Sequence, residues 1–250
     1  MKRKGFQFKQ FFIEHQDCAM KVGTDSIMLG SWVTLPHQVD MLNPNPMRIL
    51  DIGTGSGLLA IMLAQKSRDN AHITAIDIDN DAINQAKCNI AASPWAKSIH
   101  AELCSLQTFT KAENSGKFDL IISNPPYFNS PLPKATSEAK KRIRARQTVD
   151  LSHQILLDCV AQLLSNNGKF YCILPTDFCT SLIAYASTVN LHLCAQLMVY
   201  SKPNSPALRC LLAFCAQQAP LTSENLTIYT QHQQYSEDYK ALCQDYYLKF

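Results

Sequence analysis

The run Met47-Arg-Ile-Leu-Asp51-Ile-Gly53-Thr-Gly55-Ser-Gly57, continued by Leu58-Leu-Ala-Ile-Met-Leu-Ala64, decides how this chain folds. Met47 to Ile52 reads as a buried strand, a short apolar run closed by a glycine turn. Leu58 to Gln65 reads as a helix. Between them three glycines stand at alternate positions. Gly53 permits a tight turn, and Gly55 and Gly57 offer bare backbone against which a ligand can lie. The helix beyond adds unpaired N–H groups in its first turn.

The same strand-then-helix rhythm continues outward. His72 to Asp77 is a second strand and Asp81 to Ala91 a second helix; Ser98 to Leu103 is a weaker third strand and Phe118 to Ser123 a fourth. After a proline-rich stretch, Asn124 to Pro133, the residues Leu151, Ile155, Cys159 and Leu163 stand four apart and predict an amphipathic helix over 151–164, stopped by Asn166-Asn-Gly168. Lys169 to Leu174 is a fifth strand, followed by a helix over 176–188. Leu191 to Tyr200 and Ala207 to Ala216 form a closing strand pair around Lys202-Pro-Asn-Ser-Pro206. Five strand–helix units and a strand pair predict an α/β fold with an open, doubly wound, mostly parallel sheet. No internal boundary interrupts residues 1–250, which read as one domain with an N-terminal extension (1–46) and a C-terminal appendage (220–250).

Composition narrows the class. Of 250 residues 46% are hydrophobic and 17% charged, enough apolar material for a sizeable core, so disorder, collagen and coiled coil are excluded as the main state. The longest apolar runs, Leu58 to Ala64 and Cys210 to Ala216, fall far short of the ~20 residues a membrane helix needs. The ten cysteines form no C-x-x-C pair and sit mostly in apolar runs. They read as small core residues in a reducing, cytoplasmic setting, and no metal is expected. The net charge of +3 is unevenly spread. Lys2, Arg3, Lys4 and Lys9 have no acid among residues 1–10. Lys134, Lys140, Lys141, Arg142, Arg144 and Arg146 face only Glu138 within 134–146. Two basic segments on an otherwise acidic body fit a polyanionic partner or two solvated stretches.

The glycine spacing indicates the ligand. A dinucleotide loop, G-x-G-x-x-G, would place its third glycine at position 58, which is Leu. The G-x-G-x-G spacing here, with Asp51 two residues before Gly53, favours a smaller, partly cationic ligand without phosphate. S-adenosylmethionine fits. Asp51 can sit near its ammonium group, Asp77 at the end of the next strand can accept both ribose hydroxyls, and Glu102 near the end of the third strand can approach the adenine edge. Strand-end solvation is the alternative for both Asp77 and Glu102.

Ser123-Asn124-Pro125-Pro126-Tyr127 directly follows the fourth strand. An exocyclic amine on adenine is a poor nucleophile because its lone pair is delocalised into the ring. The side-chain oxygen of Asn124 and the carbonyl of Pro125 can each accept one of its N–H bonds and steer the lone pair outward. Pro126 holds that carbonyl without offering a competing donor, and Tyr127 can stack on the base. Such catalysis is positioning and electrostatics and needs no strong base.

These residues resemble a known family. Asp51-Ile-Gly-Thr-Gly-Ser-Gly57 with Asn124-Pro-Pro-Tyr127 is similar to the class I S-adenosylmethionine-dependent methyltransferases that act on planar amino or amide nitrogens. That likeness implies a seven-stranded sheet with an antiparallel last strand. Phe8-Lys-Gln-Phe-Phe12, Cys18-Ala-Met-Lys-Val-Gly-Thr-Asp25, Arg144-Ala-Arg146, Leu151-Ser-His153 and Tyr246-Tyr-Leu-Lys-Phe250 resemble the bacterial tRNA1(Val) (adenine(37)-N6)-methyltransferases. The resemblance implies that Asn124 to Tyr127 hold the target adenine, that Asp51, Gly53, Gly55, Gly57, Asp77 and Glu102 bind the cofactor, and that Lys21 and Thr24 close over its methionine end. Glu102 departs from the family, which commonly has Asp there.

An anticodon-loop adenine costs less to unstack than a paired base. Lys140, Lys141, Arg142, Arg144, Arg146 and the N-terminal lysines are the candidate phosphate contacts, and Arg forks suit phosphate. Either arginine could instead tether its own loop through a carboxylate. The expected protein is a monomeric, cytoplasmic enzyme acting on tRNA. The rivals are methylation of a release-factor glutamine, DNA adenine methylation, and a non-catalytic RNA-binding protein on the same fold.

Overall fold

Strand β3 (Met47–Ile52) is buried at every position but Arg48, as a central strand must be, and everything that matters to the site is arranged around its end. The computed structural model describes residues 4–16, 18, 21–36, 46–68, 70–112, 116–126 and 152–250. Ahead of β3 lie a hairpin, β1 (Gly5–Gln7) and β2 (Phe12–Glu14), and helix α1 (Thr24–Trp32). After it come α2 (Leu58–Ser67), β4 (Ala71–Asp77), α3 (Asn80–Ala92), β5 (Ile99–Leu103), α4 (Leu106–Lys111) and β6 (Phe118–Ser123). The chain continues with α5 (His153–Leu163), β7 (Leu164–Pro175), α6 (Thr176–Thr188), β8 (His192–Tyr200), β9 (Ala207–Cys215), β10 (Thr222–Thr227) and α7 (Glu237–Cys243).

The main sheet has eight strands in the order β10-β8-β9-β7-β6-β3-β4-β5. Strands β3 to β7 run parallel, and β9 is antiparallel to both β7 and β8. The expected seven strands are therefore corrected to eight. Thr222–Thr227, from the segment read as an appendage, adds a parallel edge beside β8. Only Leu226 of that strand is buried, and a polar edge strand carries no hydrophobic alternation to announce itself. A second difference concerns Asn166-Asn-Gly168. Helix α5 ends at Leu163, and these residues lie within β7, at the irregularity between the pairs Phe118–Leu164 and Leu120–Lys169.

The central strands alternate between two cores. Ile49, Ile73, Ala75, Ile122, Tyr171 and Leu211 face one layer, with α1 to α3, α7 and the hairpin. Leu50, Ile52, Ile76, Ile121, Phe170 and Leu212 face the other, with α4 to α6. On the first face the segments near the two chain ends meet. Phe8 bridges to Tyr247, the Lys9 N–H donates to the Tyr246 carbonyl at 2.9 Å, and the Tyr246 hydroxyl donates to the Met62 carbonyl at 3.0 Å. Phe8 is fully buried and Tyr246 is 1% exposed, so truncating either ring would cost about 3–5 kcal/mol. Trp32 and Trp95 both pack edge-on, against Tyr171 and Phe11.

From β3 the chain winds outward through β4 to β5, then crosses back to β6 on β3's other side. The direction of winding reverses between β3 and β6, and in such sheets ligands bind beyond the carboxyl ends of the strands at that reversal.

Candidate active site

At that reversal the register pairs Ile52 with Ser123, and the Ser123 hydroxyl donates to the Ile52 carbonyl at 3.0 Å. The glycine loop and the Asn-Pro-Pro turn each begin one residue later, so neighbouring strands deliver them side by side. Between and beside them lies a cavity of about 130 Å³, walled by Gly53, Gly55, Asp77, Asn124 and Pro126 among others.

The glycine loop owes its shape to its residues. Gly53, Gly55 and Gly57 have φ of +70°, +56° and +80°, the left-handed region. Gly53 N–H and Thr54 N–H both donate to the Ile76 carbonyl, at 2.9 and 3.0 Å, which folds the loop over the end of β4. A Cβ at Gly55 would meet nothing within 4 Å, because that side of the backbone is open to the cavity. A Cβ at Gly57 would instead lie 3.4 Å from the Cα and Cβ of Ala86 on α3. The two glycines thus have different uses, one toward a ligand and one toward helix packing.

Two carboxylates hold the loop. Asp51 is fully buried; its Oδ2 accepts from the Thr54 hydroxyl at 2.6 Å and from the Ala60 N–H at 3.1 Å, while its Oδ1 has no hydrogen-bond partner among the described residues. Burial pushes its carboxyl up to about 7, against those two bonds, and the charge of Asp77 adds to the rise. Asp77, 8% exposed, accepts from the Gly55 N–H at 2.9 Å and the Asp79 N–H at 3.0 Å. Burial raises its carboxyl too, and the N–H bonds from Asp79 and Gly55 oppose that shift. Two buried carboxylates behind a positive-φ loop repel a phosphate and suit a cation. A cradle that a Cβ at Gly55 would enter, backed by buried acids, fits S-adenosylmethionine.

The N-terminal segment closes one side. Asn89 of α3 donates to the carbonyls of Glu14 and Ser56, both at 2.8 Å, and accepts from the Glu14 N–H at 3.0 Å, stapling β2 to the glycine loop. Cys18, Lys21, Val22 and Ser26 then reach the cavity wall. The Asn124 Nδ2 donates to the Ser26 hydroxyl at 2.9 Å.

The expected site residues are distributed as follows. Gly53, Gly55, Asp77, Lys21, Asn124 and Pro126 line the cavity. Asp51 is not in its wall but lies beneath the loop, and Gly57 packs on α3. Pro125 is buried behind the turn. Thr24 opens α1 and is outside the wall, as is Glu102, whose carboxylate lies 3.9 Å from His100 Nε2 and is 39% exposed. Ile99 and Ala101 point into the core, so His100 and Glu102 turn outward. The wall at the end of β5 is made by Cys104, Leu106 and Gln107, which no motif marks. Tyr127, Lys140, Lys141, Arg142, Arg144 and Arg146 lie outside the described residues. Lys9 donates its ammonium to the carbonyl of Phe250 at 2.9 Å. Among the described residues no three His, Cys, Asp or Glu side chains gather as a metal site, and no helix is long and apolar enough to cross a membrane. All ten cysteines are free thiols.

Sheet order, glycine loop and cavity define a class I methyltransferase. The methyltransferase domain family matches residues 44–208. A predicted O-methyltransferase from Agrobacterium tumefaciens shares the fold, with a TM-score of 0.65 at 14% identity over 89% of this chain and 96% of that one. Among curated proteins, the tRNA1(Val) (adenine(37)-N6)-methyltransferase of Pseudoalteromonas atlantica is 56% identical over 100% of both chains. That of Klebsiella pneumoniae is 40% identical over 98% of this chain and 96% of its own. The chain belongs to the tRNA1(Val) (adenine(37)-N6)-methyltransferase family, and S-adenosylmethionine is its cofactor.

Proposed function

We propose that this enzyme transfers the methyl group of S-adenosylmethionine to N6 of adenine-37 in the anticodon loop of a valine tRNA. The observation that carries the reading is the Ser123–Ile52 tie, which sets the Asn124 turn and the glycine loop against one cavity. Near-full-length similarity to relatives named for that reaction favours a nucleobase over a protein amide as the acceptor.

When bound, the cofactor supplies a sulfonium-activated methyl group. Gly53 and Gly55 leave backbone open to it, Asp77 is placed for the ribose hydroxyls, and Asp51 puts buried negative charge behind the loop. Asn124 Oδ1 and the Pro125 carbonyl accept the two N6 hydrogens and turn the nitrogen lone pair toward the methyl. Tyr127 stacks on the base. The proton leaves after transfer, when the methylated nitrogen has become acidic, so no strong base is required. Lys140, Lys141, Arg142, Arg144 and Arg146 hold the loop phosphates. The chain works as a single cytoplasmic domain and a monomer, residues 1–46 covering the cofactor.

Labelled donor and total tRNA test this reading. Wild type should place label on N6-methyladenosine. Asn124→Ala should lower transfer by about 100-fold or more, the scale for losing one preorganised polar group, with cofactor affinity within twofold. Normal turnover in that variant would remove the role given to Asn124.

A further inference from the structure

The bond between Asn124 and Ser26 spans 98 residues of sequence and joins the acceptor turn to a helix that precedes the sheet. A carboxamide is nearly symmetric in shape. Turned one way it offers an oxygen to the substrate, and turned the other way it offers two donors. An exocyclic amine, itself a donor, is held by the oxygen and repelled by the NH2. Something must therefore fix the amide. The Ser26 hydroxyl accepts from Nδ2 at 2.9 Å, which tethers the amide to α1, and both residues line the cavity.

Ser26 is itself rigidly carried. Next to it, Asp25 receives a 2.8 Å hydrogen-bonded ion pair from Arg209 Nε. Arg209 lies on β9 in register with Pro175, at the carboxyl end of β7, so this tie fastens the start of α1 to the upper rim of the sheet. At the helix's other end the Lys66 ammonium donates to the carbonyls of Ser31 and Val33 at 2.6 and 2.7 Å. Between these ties Ile27, Met28 and Leu29 are all buried. A helix pinned at both ends holds the hydroxyl in one place, whereas a hydroxyl on a mobile loop would follow the amide instead.

We infer that Ser26 is a positioning residue that anchors the Asn124 amide beside the target amine. The inference deepens the proposed function and rests on it. The test is single-turnover transfer to tRNA, with enzyme in excess so that slow variants can be read. Wild-type transfer to N6 is measured first, so a failure of the functional reading appears in wild type and a failure of the Ser26 assignment only in the variants. Ser26→Ala should slow transfer about tenfold, the effect of one hydrogen bond, with cofactor Kd and melting temperature near wild type. Ser26→Thr, which keeps the hydroxyl, should recover most of the rate. In an Asn124→Ala background, Ser26→Ala should change the rate by less than twofold, because its effect runs through the missing amide. A wild-type rate in Ser26→Ala, a multiplicative loss in the double variant, or a loss of cofactor affinity parallel to the loss of rate would each overturn the assignment.

Discussion

Replacing Gly55 with Ala separates folding from ligand binding within a single loop. Gly55 has a φ of +56°, and an added Cβ would find nothing within 4 Å. The folded protein therefore pays only for holding a non-glycine residue in the left-handed region, about 1 kcal/mol. For a chain of this size that is a fall of roughly 2–4 °C in melting temperature. The methyl group would stand in the cavity proposed to hold the cofactor. Overpacking of a well-fitted site costs about 1–3 kcal/mol, which weakens binding some 5- to 150-fold. Gly57→Ala is the control. Its φ is +80° and its Cβ would rest against Ala86 at 3.4 Å, on the α3 side and outside the cavity wall. Calorimetric titration with S-adenosylmethionine, paired with thermal melts, should show a large change in Kd and a small change in Tm for Gly55→Ala. Gly57→Ala should show a comparable small loss of Tm and the smaller loss of affinity. If Gly55→Ala bound the cofactor within twofold of wild type, the loop would not lie against the ligand.

Asp77→Asn leaves one acceptor oxygen for two backbone N–H groups, so cofactor affinity should drop about tenfold or more while transfer at saturating cofactor persists; unchanged affinity would refute the ribose assignment. Asp51 has its carboxyl pushed up to about 7, so a bound cation favours its ionised form and releases a proton. Affinity for the cofactor should therefore rise as pH climbs from about 6 to 8, and Asp51→Asn should flatten that profile in the same titration. Arg144→Ala with Arg146→Ala should weaken tRNA binding and make its salt dependence shallower by roughly 1 per lost phosphate contact, with cofactor affinity unchanged.

The central strands and the two loops were readable because each rests on local chemistry. An apolar run ending in Asp-x-Gly-x-Gly-x-Gly has few other conformations open to it, and a proline pair after a β-branched strand has equally few. Helix α1 gave no such sign. Its capping residue, Gly23, offers no side chain, and buried residues lie on most of its circumference, so neither a start signal nor an amphipathic period appears. Helix α4, six residues long, is too short to show a period. Glu102 was placed by analogy with strand ends, yet its outward turn follows from the inward pair Ile99 and Ala101. Asp51 reads equally well as a ligand contact or a loop anchor until its partners, Thr54 and Ala60, are seen. Ser26 could not be found in the sequence, because its meaning depends on a residue 98 positions away.

The meeting of Phe8 and Lys9 with Tyr246 and Tyr247 sets an order on how the enzyme becomes competent. A ribosome releases the hairpin more than two hundred residues before its partner. Until residues 246 and 247 have emerged, the strand that Asn89 staples to the glycine loop has no finished seat. A nascent chain can thus complete its sheet before the hairpin beside the glycine loop has its partner.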